Sequence, residues 1–392
     1  MQALAISKVA WEYAAMDFGF TDEQTQLAEQ VRRFVAAECP LDRVRAMVEG
    51  DSRHDSNLWG KMAGLGWTAL VVDEAHGGLG LQWEDLVVVA EELGRGLVPS
   101  PFVSCASAAR ALGRLGSAEQ KQRWLPSIAD GSLVATLAVL EPSDVPDSEA
   151  IATAAKPDPQ AAGAVHLSGE KMFVADAETA GLLLVAAREG NGVSMFAIPT
   201  DAPGVNIEPL ALLDPTQSAC RVTFDDVAVG ADHRLGEAGA AWDETSLAID
   251  AETVALSAVL VGSADAAVTL AAEYAKVRQQ FGQLIGKFQG IKHALAEIHV
   301  DVESARSLTY YASWAIDNLE DRSELGRYVS MAKAVASEAV DRAGEECVQV
   351  HGAIGYTWEC NAHLFYKRGR WARTAHGSPE RHYERVLASQ GL

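Results

Sequence analysis

The feature that most constrains the fold is a change of hydrophobic period, made twice along 392 residues. From about Thr21 to Ser127 apolar residues recur at helical spacing, as at Leu27, Val31, Phe34 and Val35. Thr21-Asp-Glu-Gln24 reads as a capping box at the first of these helices. From about Ser132 to Asp232 the pattern breaks into short β-rich runs, Val134–Leu140, Leu182–Val185, Ser194–Ile198 and Arg221–Phe224. Pro, Gly, Asn and Asp separate them, which predicts an antiparallel β domain. From Trp242 to about Ser389 helix returns, in segments Ala251–Lys276, Ile291–Asn318 and Arg322–Val350. The expected class is α+β, with an N-terminal extension at 1–15, a helical domain at 16–131, a middle β domain at 132–240 and a helical bundle at 241–392.

A chain this long buries a large core. Its formal net charge of −22 argues against nucleic acid and anionic membrane surfaces as partners. No apolar run is expected to reach the roughly 20 residues that span a bilayer. Met1–Ala15 lacks a basic stretch and carries Glu12, so it does not read as a secretory signal, and a cytoplasmic location is expected. Cys39, Cys105, Cys220, Cys347 and Cys360 are scattered, which predicts buried free thiols and no metal site. Gly77-Gly-Leu-Gly80 follows no strand–helix–strand pattern and has no phosphate-loop Lys, so it reads as a plain turn. Tyr366–Leu392 holds six Arg/Lys against two acids, a positive island that is either a solvated helix end or a contact for a nucleotide or acidic neighbour.

Two short motifs sit in the third block: Arg278-Gln-Gln-Phe-Gly-Gln283 and Gln349-Val-His-Gly-Ala-Ile-Gly-Tyr356. An Arg can fork onto phosphate oxygens, and a Gly lets backbone approach a ligand closely. In their order and spacing the motifs resemble the acyl-CoA dehydrogenase family, flavoenzymes that oxidise the α,β bond of acyl-CoA thioesters. The resemblance runs from Met16 onward. It implies the helical, β, helical fold, FAD as cofactor, an acyl-CoA substrate and an electron-transfer flavoprotein as acceptor. It also implies a homodimer or homotetramer, or a heterotetramer with a related subunit.

Carried over by motif, the resemblance puts Arg278 on the pyrophosphate and Phe281 near the adenine half, with Gln289 holding the same region. Gln349, Gly352 and Ala353 would lie along the ADP moiety as a partner chain's contribution, Ala353 standing where Gly is commoner. In the β domain, Leu140-Glu141-Pro142 keeps part of the family's Thr-Glu-Pro-Gly-Ala-Gly-Ser-Asp segment, without its glycines and Ser. Phe173-Val-Ala175 replaces the Trp-x-Thr beside the flavin, keeping a ring and losing a hydroxyl.

The chemistry demands a carboxylate that meets an α-proton while hydride leaves the β-carbon. Most of the family place a Glu near the C-terminus, where this chain has His376 in Thr374-Ala-His-Gly-Ser378. The isovaleryl-CoA dehydrogenase-like branch places it on a long helix, 26 residues before the Arg; here that residue is Glu252. A continuous helix would separate the two by ~39 Å, which would set the flavin ring apart from its phosphate end. Glu252 is the expected base, against the alternative of a first-turn acid complementing the helix dipole. His376 is the second candidate, with Asp250 and Glu380 behind it. The activity so implied is FAD-dependent acyl-CoA dehydrogenation. The alternative is a non-catalytic or flavin-poor partner subunit of a heteromeric dehydrogenase. A flavin oxidase or monooxygenase has no feature in its favour.

Overall fold

The computed structural model describes residues 21–50, 54–143 and 146–391; the expected extension at 1–15 and the start at Met16 lie outside them. Six helices come first: α1 (Asp22–Glu38), α2 (Leu41–Glu49), α3 (Ser56–Gly64), α4 (Trp83–Arg95), α5 (Phe102–Leu115) and α6 (Ala118–Ala129). The capping box at α1 forms as expected, Thr21 Oγ accepting from Gln24 N at 3.1 Å and Gln24 Oε1 from Thr21 N at 3.2 Å. The Gly77–Gly80 stretch is a turn, held by Leu79 N donating to Ala69 O at 2.9 Å.

Next comes an eight-stranded sheet, ordered β6 (Val205–Pro209), β7 (Ala219–Val229), β3 (Val165–Ala175), β2 (Ala154–Pro157), β4 (Leu182–Glu189), β5 (Gly192–Pro199) and β8 (Arg234–Leu235). β1 (Ala135–Ala138) pairs with β4 off this path. The sheet is mixed rather than purely antiparallel, because β1 runs parallel to β4 and β2 meets β4 in parallel at one position. Strands β1 and β4 are buried almost throughout and carry no alternation, so their sequence reveals no direction.

The third part is α7 (Trp242–Val277), a two-residue-per-strand hairpin (Gln279–Gln280 with Gln283–Leu284), α8 (Gln289–Asn318), α9 (Arg322–His351), α10 (Ala362–Ala372) and α11 (Pro379–Ser389). Helix α7 corrects one expectation. It is long and apolar enough to cross a membrane, with an 18-residue window of mean hydropathy 1.8, yet 72% of that window is buried inside the fold. Its apolar surface is the core of the bundle.

Glycines set how closely α7 meets α4. A Cβ on Gly94 would lie 2.1 Å from Val259 O, and one on Gly262 would lie 1.9 Å from Glu91 O. The two backbones touch there, and no larger side chain fits. About three helical turns away the Trp83 indole donates to Ala251 O at 3.0 Å, a second tie between α4 and α7.

Candidate active site

Two cavities meet at the middle of α7. The larger, about 430 Å³, lies between the α4–α5 corner (Leu93, Val98, Phe102), the β domain and α7 (Leu256, Val259). The smaller, about 60 Å³, lies between the β domain and the turn entering α11. Leu140, Phe173, Ala175, Glu252 and His376 line both.

Glu252 stands well inside α7 and is 7% exposed. The first-turn acids of this helix are Asp243 and Glu244, so the dipole alternative for Glu252 does not hold. Burial pushes its carboxyl up to about 8, and the nearby Asp176 adds to the rise. That combination suits a group whose task is to accept a proton.

His376 sits in the turn between α10 and α11 with a left-handed backbone, φ 55°. Its Nδ1 lies 3.2 Å from Thr253 Oγ, while that hydroxyl donates to Ile249 O at 2.7 Å. The Thr253 proton is thus committed, and His376 Nδ1 carries the hydrogen between them. Burial first, then the charge of Lys333, drives the imidazole down to about 4. A ring so reluctant to take a proton is a poor base near neutrality. The two remaining acids are engaged elsewhere: Asp250 takes both arms of Arg385 at 2.7 and 2.9 Å, and Glu380, exposed, accepts from Arg373 at 3.0 Å.

On the β side, a register shift between Lys171 and Val174 bulges β3 against β7. Phe173 at that bulge takes φ 54° and stands 50% exposed toward the cavities. Bulges commonly re-aim a side chain in this way. Met172 N donates to Leu140 O at 2.9 Å, tying the Leu140 segment to the same wall. Glu141 has a different role: with 5% exposure it pairs with the fully buried Lys171 at 2.7 Å and accepts from Ala152 N and Thr153 N. Of that segment, 144 and 145 lie outside the described residues.

Sequence reasoning missed Asp176, directly after the Phe173-Val-Ala stretch and lining the larger cleft. Ser104 Oγ donates to Asp176 Oδ2 at 2.7 Å. It also missed Lys333, whose Nζ bonds Ser337 Oγ at 2.6 Å, Ala372 O at 3.0 Å and Gly377 O at 3.3 Å, bracing the turn that carries His376. A lone acid beside the flavin stretch was the one available signal for Asp176; Lys333 offered none.

The remaining expected residues gather at the far end of α7. Arg278 caps it, and Ile285 N donates to Arg278 O at 2.9 Å, bringing Gln289 at the start of α8 close. Tyr274 stacks on His351, which places Gln349, Gly352 and Ala353 at the same end. Arg278, Gln289, Gln349, Gly352 and Ala353 are exposed, and Phe281 is 92% exposed. The Arg278 guanidinium makes no ion pair among the described residues, so its donors are free for a phosphate.

Most of the positive island is engaged within the chain. Arg368 is buried against Asp214, Arg370 pairs with Asp341 and Glu345, Arg373 with Asp341 and Glu380, and Arg385 with Asp250. Lys367 lies over the Trp358 ring, 4.7 Å from its centroid. Internal acids that the local sequence does not reveal consume most of its charge.

Family sequence models match nearly the whole of the described chain: the acyl-CoA dehydrogenase N-terminal domain at residues 21–132, the middle domain at 136–227 and the C-terminal domain at 239–390. The chain belongs to the acyl-CoA dehydrogenase family. It is 31% identical over 371 residues to acyl-CoA dehydrogenase FadE12 of Mycobacterium tuberculosis, covering 91% of this chain and 92% of that one. Among solved structures it is similar to the ChsE4-ChsE5 complex from Mycobacterium tuberculosis, with TM-score 0.87 and 25% identity over 96% of this chain and 99% of that one. It is likewise similar to the glutaryl-coenzyme A dehydrogenase glutaryl-CoA complex, with TM-score 0.87 and 26% identity over 96% of both chains.

The protein is therefore an acyl-CoA dehydrogenase, an oxidoreductase acting on CH–CH bonds, and the family implies a flavin. Two separate regions of the chain suit such a group: an exposed ring and aliphatic wall at Phe173 and Leu140 beside Glu252, and, at the far end of α7, an Arg without an ion pair among the described residues, with adjacent glycines. The chain departs from the resemblance at two places, the missing hydroxyl at Ala175 and the missing glycines and Ser after Leu140-Glu141-Pro142.

Proposed function

We propose that this acyl-CoA dehydrogenase uses FAD and that Glu252 removes the α-proton of the thioester. The observation that carries this reading is the placement of a buried, proton-retaining carboxyl where the two cavities meet, opposite the Phe173 wall. When bound, the flavin accepts the hydride that leaves the β-carbon. Glu252, held in register by the rigid α7 and the Trp83 bond to Ala251 O, receives the proton. The apolar cleft excludes water, which raises the base strength available to Glu252. His376 lines the cleft as a neutral hydrogen-bonding wall.

Arg278 acts on a flavin held by a partner copy. Along continuous α7 it lies ~39 Å from Glu252, farther than an extended dinucleotide reaches from ring to pyrophosphate. Within one chain the two cannot serve the same cofactor; across a dimer they can. Val277, Phe281, Ile354 and Tyr356 are exposed apolar side chains around this end, as a subunit interface requires. The partner is a second copy or a related subunit. The hydroxyl lost at Ala175 is the observation that favours a related subunit, because another chain would then complete a weakened flavin site. Anaerobic mixing with a panel of acyl-CoA thioesters tests the function: bleaching of the flavin band is expected with at least one, and none with any would leave the partner-subunit reading.

A further inference from the structure

We propose that Asp176 is a positioning residue for proton abstraction, acting through Glu252 as a second carboxyl group in the same cleft. The inference rests on Glu252 being the base. Asp176 ends β3 with a left-handed backbone, φ 53°, and its N–H donates to Ser218 O at 3.2 Å. Ser104, itself 2% exposed, donates its one hydroxyl proton to a carboxyl oxygen at 2.7 Å, Pro101 O being a more distant acceptor at 3.2 Å. The side chain is thereby held at the wall of the cleft that Glu252 also lines. Such a position is strained for a residue other than Gly, and the anchors on both sides hold it there.

The titratable groups around the pair are these: the buried thiols of Cys105 and Cys220 lie near Asp176, both pushed up by burial. On α11, Arg385 is taken by Asp250, and Arg381 lines the smaller cavity. On α10, Arg370 lines the cleft but pairs with Asp341 and Glu345. From the α10–α11 turn comes neutral His376, and behind it on α9 stands Lys333, whose bonds go to Ser337 and two carbonyls. Among the described residues no ion pair to a cation reaches either carboxyl. Two such buried groups lining one cleft resist holding two negative charges at once. Burial lifts Asp176 to about 7, opposed by the Ser104 bond, and Glu252 lies higher still, at about 8. Near neutrality the pair thus retains protons that an isolated carboxyl would lose. The ionised Asp176 makes ionised Glu252 a stronger base, and it narrows reaction to the pH range in which Glu252 has released its proton.

Asp176→Asn keeps the size and the acceptor for Ser104 but removes the charge. The carboxylic acid C=O stretch of Glu252, identified as the infrared band that Glu252→Gln abolishes, is titrated in parent and variant holoenzyme. The midpoint for loss of that band is expected at lower pH in the variant, and the rising limb of flavin reduction with acyl-CoA should move down with it. An unchanged midpoint would overturn the proposal, even if the variant were slow, because slowness alone fits a merely structural role. Should Asp176→Asn lose its flavin, the same band titrated in parent and variant apoprotein decides the matter with the same two outcomes. Failure of Glu252 as the base would appear separately, as undiminished reduction in Glu252→Gln.

Discussion

Tyr274 and His351 stack with ring centroids 4.2 Å apart and planes 24° apart, joining the last turn of α7 to the last turn of α9. This contact brings together two motifs that lie about seventy residues apart in sequence. His351 is further fixed by Nδ1 against Cys347 O at 2.7 Å. Tyr274→Ala is expected to lower stability by about 0.5–3 kcal/mol and to weaken flavin retention together with assembly. Thermal denaturation and flavin content, measured at matched protein concentration, check both; loss of stability with flavin fully retained would separate this end of α7 from the cofactor.

Arg278 is an exposed cation at the same end that makes no ion pair among the described residues. Arg278→Ala should weaken flavin binding by about 1.5–3 kcal/mol, roughly 10- to 150-fold, with little change in folding. Equilibrium dialysis against flavin reads the effect. Full occupancy at parental affinity would remove Arg278 from the cofactor site.

Lys333 is fully buried with no carboxylate paired to it among the described residues, and burial brings its ammonium down to about 7 from 10.5. Its folded-state pKa is depressed, so between pH 8 and 10.5 the unfolded chain binds a proton the folded one does not. Stability gains a contribution that rises with pH across that window. Lys333→Met should flatten the curve there, as read by denaturant midpoints at several pH values. The flattening will be partial, because Lys171, lowered to about 8 by burial against the pull of Glu141, keeps its own share.

The helical blocks were legible because α1, α7, α8 and α9 carry long periodic or uniformly apolar stretches. Strand direction was not, since β1 and β4 are buried on both faces and the alternation that would mark their pairing is missing. Of the candidate site, the place of Glu252 on the same unbroken helix as Arg278 was legible from their spacing. Asp176 and Lys333 were not, because their significance lies in neighbours from other elements: Ser104 on α5 for one, the carbonyls of Ala372 and Gly377 for the other. The pairing of the tail cations was hidden for the same reason, their acidic partners being as distant in sequence as Asp214 and Asp250.

His376 and Glu252 line the same cavities, and one comparison separates their roles. With a thioester that bleaches the parental flavin, rapid-mixing absorbance gives the rate of reduction in Glu252→Gln and His376→Gln. Glu252→Gln should retain flavin and slow by about 10²–10⁴-fold or more, as loss of a general base does. His376→Gln should change the rate only modestly, since a ring held down to about 4 donates a hydrogen bond and takes no proton near neutrality. Parental reduction in Glu252→Gln together with a dead His376→Gln would contradict the account and hand the proton to the histidine.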